Sequence, residues 1–411
     1  MIYNVYQMGD DIMYILHGNG IDDDTNAIQE LLDSGKSVIE LPVPQKHYCI
    51  SKTLKIHSNQ TLKLGETSTI RLMDMSDCLM LQNAEEDAHD ICIEGGIWDF
   101  NNLNQSPNPG KNREFREASY PHLFGDPDSV AIYNDMYSGT VIRFYKVTRL
   151  SVRNLTVKDP ITYCIQMAYV KYFTVDNVRF DQNFGNPTAE NMDGIHIDGG
   201  CRFGSIRNVQ GTCYDDIVAL NANDACDGPI EDIQIDGVFG DNSLRGVRLL
   251  SIKSEVNRIS ISNVFGTYYQ NCIGLTYFYP RTGTRGKMSH ISIRNIYGNN
   301  CARIPEYNKG DSSNYKFAFL WIDSDIDIDF LTVDNLMRKE EISNANTIKV
   351  CKNTNIKNMS VTNIIHQNNT GKPLTFFVNE GNIDSLYFGN IDTSDDVLLE
   401  NNGTVKSIKE I

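Results

Sequence analysis

Phe173-Thr-Val-Asp-Asn177-Val-Arg-Phe180 is a short apolar alternation, one asparagine, and a second short alternation. The phrase recurs. Leu150-Ser-Val-Arg-Asn154-Leu-Thr-Val precedes it, and Gly204-Ser-Ile-Arg-Asn208-Val, Ile233-Gln-Ile-Asp-Gly237-Val and Ile259-Ser-Ile-Ser-Asn263-Val follow. Ile291-Ser-Ile-Arg-Asn295-Ile, Leu331-Thr-Val-Asp-Asn335-Leu, Met359-Ser-Val-Thr-Asn363-Ile and Leu386-Tyr-Phe-Gly-Asn390-Ile complete the series. Successive anchors lie 23, 31, 29, 26, 32, 40, 28 and 27 residues apart, too close for separate domains and right for one coil of a solenoid. Alternation of period two selects strands over helices. Asparagine tolerates the left-handed backbone needed where a strand turns a corner, and its amide can reach the next coil. The sequence therefore predicts an all-β, right-handed parallel β-helix, a single domain over 1–411 with regular coils over about 140–400.

Two departures flank the repeats. Gly20-Ile21-Asp22-Asp23-Asp24-Thr25-Asn26-Ala27-Ile28-Gln29-Glu30-Leu31-Leu32 reads as a capped helix with an apolar stripe, so about 20–45 forms a cap and first strand. Residues 99–139 lack alternation and carry four prolines, predicting a long loop beside a functional face.

Composition excludes several functions. The net charge of −16 repels phosphate backbones and anionic lipid, so neither nucleic acid nor membrane is an expected partner. No apolar stretch is long enough to span a bilayer. The ten cysteines form no CxxC pair and read as buried thiols. With no visible signal peptide, the cytoplasm is favoured over export with the signal removed. Oligomeric state is not encoded legibly.

Chemistry concentrates at Asn191-Met192-Asp193-Gly194-Ile195-His196-Ile197 and at its echo 22 positions later, Asp215-Asp216-Ile217-Val218-Ala219-Leu220. One coil of that length sets three carboxylates on one patch. Their mutual repulsion raises the proton affinity of one, and a proton-bearing carboxyl beside carboxylates that orient water is the apparatus of glycosidic hydrolysis. An Asp-rich turn and a Ca²⁺ site are the alternatives; no cofactor or metal is expected. Aligning strands across coils gives a middle, outward column of Arg143, Gln166, His196, Val218, Arg248 and Thr276, which reads as a carbohydrate-binding face.

From Asp22 to about residue 300 the chain resembles glycoside hydrolase family 28, the polygalacturonase-like β-helices. The phrases run in the family's order: Val141-Ile-Arg-Phe144, Thr162-Tyr-Cys-Ile-Gln166, Asn191-Met-Asp-Gly-Ile195 and Tyr214-Asp-Asp216. The resemblance implies inverting hydrolysis, with Asp215 as general acid, Asp193 and Asp216 activating water, and Asn191 holding the site. Leu244-Arg245-Gly246 stands where the family has glycine-histidine-glycine, and Thr276-Tyr277-Phe278 where it has the arginine-isoleucine-lysine that grips a uronate. The aspartates therefore fit the resemblance, whereas galacturonic acid as substrate does not. Expected substrate contacts are Asn191, His196, Gln166, Arg143, Arg245, Arg248, Tyr214 and Tyr277. Arg281, Arg285, Tyr163 and Trp321 are further residues that sugar can meet. The competing functions are a Ca²⁺-dependent β-helix lyase using Arg245 or Arg248 as base, and a non-catalytic, tailspike-like carbohydrate binder.

Overall fold

The computed structural model describes residues 15–108, 137–187, 189–278, 282–302, 317–393 and 397–410. It divides into two compact units, Met1–Asp193 and Gly194–Ile411. Among the described residues, every ladder between strands in either unit is parallel.

In the first unit, the helix Thr25–Asp33 buries Ala27, Ile28, Leu31 and Leu32, the stripe read from the sequence. Asp23 Oδ1 accepts the Thr25 amide at 2.9 Å. The N-cap residue Asp24 does not cap; its carboxylate instead accepts the His17 amide at 2.6 Å and the Cys49 amide at 3.2 Å, tying the entry segment to the first coil. Three stacks follow. Val38–Glu40, Gln60–Lys63, His89–Glu94, Thr148–Lys158 and Lys171–Asp181 form one. Tyr48–Ile50, Thr69–Leu72, Ile97–Asp99 and the end of Thr148–Lys158 form the second. Leu54–Ile56, Leu81–Asn83, Ile142–Tyr145 and Ile165–Ala168 form the third. Side chains alternate at period two, so Leu150, Val152, Leu155 and Val157 point inward and are buried. Each such aliphatic contributes about 1.5–3 kcal/mol by leaving water.

The second unit repeats the scheme with longer strands. One stack runs Ile195–Asp198, Asp216–Asn221, the ends of Ile230–Leu250 and Glu255–Thr276, Leu320–Ile322, Ile348–Val350, Thr375–Asn379 and Val397–Asn401. Another runs Arg202–Thr212, the beginnings of the two long strands, Ile291–Asn300, Ile326–Glu340, Asn355–Asn368, Asn382–Thr393 and Thr404–Glu410.

The anchors of the repeated phrase are the corners. Asn154, Asn177, Asn208, Asn263, Asn295, Asn335, Asn363 and Asn390 all have φ between 49° and 57°, and Gly237 has φ 80°. Their amides form ladders. Asn177 donates to Asn154 in the first unit. In the second, Asn295 donates to Asn263 (3.0 Å), Asn335 to Asn295 (2.8 Å) and Asn390 to Asn363 (2.6 Å). Local backbone preference and coil-to-coil bonding thus select the same residue.

All ten cysteines lie within the described residues and no disulfide joins them. Cys164 in the first unit and Cys272 in the second are fully buried, and burial pushes both thiols above their ordinary range.

Candidate active site

The strand Asp216–Asn221 follows a turn, so Asp215 is the last turn residue and Asp216 the first of the strand. Asp216 stands in register with Arg245 on the next coil, and Arg245 with Asn271 on the one after. Adjacent parallel strands lie about 4.8 Å apart, close enough for these side chains to meet. Arg245 Nη1 contacts Asp215 Oδ1 at 2.8 Å and Asp216 Oδ1 at 3.0 Å, and its Nε donates to Asn271 Oδ1 at 3.2 Å. Arg248 Nε lies 2.8 Å from Asp216 Oδ2. Asp216 is fully buried, while the Asp215 carboxylate is 16% exposed. Phe278 covers the pair, its ring centroid 5.6 Å from the Arg245 guanidinium carbon and 5.8 Å from that of Arg248.

Burial works against charge on Arg245, but Asp216 and then Asp215 outweigh it and raise its pKa above the ordinary arginine value. A guanidinium held this way is a fixed cation and does not serve as a base. Its work here is to hold the two adjacent carboxyl groups side by side.

Asp193, the last residue of the first unit, is buried, and its carbonyl accepts the Cys164 amide at 2.9 Å. Gly194 opens the second unit, and its amide donates to the Asp216 carbonyl at 2.9 Å. Asn191, two positions earlier, has φ 56°, a left-handed turn that redirects the chain into this segment.

The remaining expected contacts fall elsewhere. In the first unit Arg143 is buried, donates to Gln82 at 3.2 Å and stands in register with Gln166, which is also buried. His196 is neither exposed nor at the surface. Only 1% accessible, it sits with Nε2 3.4 Å from Asp198 Oδ1 and 3.8 Å from Asp224, beneath a segment whose Ala225 amide donates to Asp198. Tyr214 is buried. Tyr277 is also buried, and its hydroxyl donates to the Thr284 carbonyl at 2.8 Å. Arg285 is paired with Asp327 at 2.9 Å, and Arg281 lies outside the described residues.

The outward column also differs from the alignment made on sequence. Ala219, rather than Val218, stands between His196 and Arg248, and Gly274, rather than Thr276, follows Arg248. The cause is visible. Residues Ile217 to Leu220 are apolar without interruption and all buried, so alternation gives no register there, and a slip of one residue exchanges the faces. Beyond Gly274 the column continues through Trp321 and Lys349.

Most of the predicted insertion, 109–136, lies outside the described residues, but its roots are defined. Asn108 donates to the Glu190 carbonyl, Asn186 to the carbonyls of Asn102 and Gln105, and the Tyr137 hydroxyl to Ser106. Both roots are thus stitched within the first unit, and three of these bonds involve the segment leading into Asn191.

No family model and no curated protein sequence matches the chain. Solved structures do. The chain is similar to the family 28 exopolygalacturonase of Yersinia enterocolitica at TM-score 0.58 and 12% identity, covering 98% of this chain and 80% of that one. It is similar to a tailspike protein of E. coli bacteriophage HK620 at TM-score 0.56 and 12% identity, covering 96% and 75%. It is also similar to PfbA, a surface adhesin of Streptococcus pneumoniae, at TM-score 0.51 and 17% identity, covering 92% and 88%. The fold is a parallel β-helix. At these identities the likeness speaks to architecture alone, and that architecture serves both enzymes and adhesins.

Asn271 and Phe278 were not legible in advance. Asn271 reveals itself only by lying 26 positions after Arg245, the local coil length, and no local motif marks it.

Proposed function

We propose that this chain is a glycoside hydrolase that cleaves a poly- or oligosaccharide by inversion, with Asp215 as general acid and Asp193 and Asp216 orienting the attacking water. The observation that carries the reading is the pair Asp215 and Asp216 held side by side by Arg245, with Asp215 partly exposed. Asp193 enters this reading on the family resemblance. Acid catalysis places a proton on the leaving oxygen while a carboxylate takes one from water. Asn191 would orient the turn, and the remaining expected contacts, Arg143, Gln166, His196, Tyr214 and Tyr277, would serve by shaping the face rather than by presenting open side chains. Similarity to an exopolygalacturonase and a polygalacturonase supports a fold on which such chemistry is found.

Inversion comes from the family resemblance, not from spacing. Oxygens that contact one guanidinium nitrogen at 2.8 and 3.0 Å are closer than the separation of roughly 6.5–9.5 Å usual for inverting pairs. The anomer first released, read by proton NMR, tests this directly. Reducing-sugar release from a glycan panel, lost in Asp215→Asn, tests hydrolysis; unchanged turnover in that variant would refute it.

A second reading has its own observation. The Arg245 ion pair gives Asp215 a structural partner, as in a carbohydrate-binding protein without catalysis, and a tailspike neighbour was solved in complex with a hexasaccharide. Glycan binding without release of reducing ends would favour it. The lyase reading is weakened because Arg245 and Arg248, its candidate bases, are both paired with Asp216.

A further inference from the structure

We propose that the face beside Asp216 receives a neutral, hydroxyl-rich sugar ring, stacked on Trp321 and hydrogen-bonded by Asn271, and not a uronate; this rests on the carbohydrate reading above. Three observations on the second unit support it.

First, Asn271 is 1% exposed and half satisfied. Its Oδ1 accepts from Arg245, while its Nδ2 has no acceptor among the described residues. A buried donor without a partner is costly, and in native proteins it usually marks a ligand or ordered water. Its direction is defined by Gly274, where any Cβ would lie 2.8 Å from Nδ2. The amide therefore fills the slot in the outward column between Arg248 and Trp321, and glycine at 274 makes room for it.

Second, Trp321 is the only partly accessible aromatic in that column, two coils from Arg248 and one from the amide. Phe317 packs edge-on against it at 4.8 Å and Lys349 approaches its ring at 5.9 Å, bracing an indole that a sugar can stack on.

Third, among the described residues the positive groups along this column are already engaged. Arg245 and Arg248 serve Asp215 and Asp216, and Lys349 pairs with Glu380 at 2.9 Å. At the positions where the resemblance expects a uronate grip, the Thr276 hydroxyl donates to the Leu249 carbonyl, the Tyr277 hydroxyl to that of Thr284, and Phe278 is a phenyl ring. To reach any of these three cations a uronate would have to break an internal ion pair, on a chain whose net charge of −16 opposes polyanions.

The chain supplies its own probe. It has two tryptophans, and Trp98 is fully buried, so a ligand at this face acts on the fluorescence of Trp321. The Asp215→Asn protein, titrated with neutral oligosaccharides and with oligogalacturonate of equal length, should bind a neutral one with a fluorescence shift and the uronate at least about tenfold more weakly. Trp321→Leu should abolish the shift and weaken binding by calorimetry. Asn271→Asp keeps the acceptor for Arg245 but removes the donor, and should cost about tenfold in affinity. Oligogalacturonate binding as tightly as the best neutral glycan, no neutral glycan binding, or neutral binding indifferent to both variants would overturn the proposal. Hydrolysis of a uronate by the wild-type protein would sink the substrate class and leave the hydrolase standing. Neutral binding without turnover would do the reverse.

Discussion

Two regions of the second unit solve the stacking of coils in opposite ways. At the corners, Asn263, Asn295 and Asn335 repeat one residue, one backbone conformation and one hydrogen bond from coil to coil. In the column of Asp216, Arg245 and Asn271, each coil carries a different residue, and charge complementarity replaces identity. The corner is locally redundant, since each amide has a like neighbour. The column is not: removing any member leaves another buried and uncompensated. Redundancy belongs to architecture, and its absence marks chemistry.

The sharpest test of that contrast is functional. Asp215→Asn should lower kcat by about 10²–10⁴-fold, the usual contribution of a general acid, with little change in melting temperature because Asp215 is partly exposed. Calorimetry alongside a reducing-sugar assay checks both halves, and activity within twofold of wild type would remove the catalytic role.

Next in size is Asp216→Leu, which takes from Arg248 its carboxylate and from Arg245 one of its two, and should cost roughly 3–5 kcal/mol in urea denaturation. A cost under about 1 kcal/mol would mean that the column is as tolerant as the corners.

An ionisable group elsewhere in the same unit gives a smaller, pH-dependent effect. His366 is buried, and burial first, then the charge of Arg338, depress its pKa to about 3. The neutral imidazole is favoured in the fold, so its contribution is complete above the ordinary histidine pKa near 6.5. It is lost as the pH falls from there toward 3, by up to about 1.4 kcal/mol per pH unit. Urea midpoints at pH 7, 6, 5 and 4 should show this slope, and His366→Gln should flatten it.

The smallest effect belongs to the corners. Asn335→Gly keeps the left-handed backbone and loses only the amide bonds, about 0.5–1.5 kcal/mol, whereas Asn335→Ala adds roughly 1–2 kcal/mol of backbone strain. If the two variants are equally stable, the conformational half of the corner argument fails.

The same contrast explains what the sequence made legible. Corners announce themselves because each obeys one local rule, so Asn154 through Asn390 located the coils directly. Asp215 and Asp216 were visible as a motif, as was the substitution of arginine for the expected histidine. The exact neighbours of those residues were not, because register between coils is set by packing at a distance. The unbroken apolar run at 217–220 hid a one-residue shift, and the step from Arg248 to Gly274 hid the slot occupied by Asn271. His196 read as an outward residue by alternation and is outward in register, yet it is buried beside Asp198 and Asp224, a feature no periodicity records.

The buried thiols have a practical consequence. Cys164 and Cys272 each react with an alkylating reagent only when the coils around them open, and each belongs to a different unit. Mass-resolved labelling rates at the two sites would therefore time the breathing of each half of the chain independently, revealing whether the halves come apart together or one after the other.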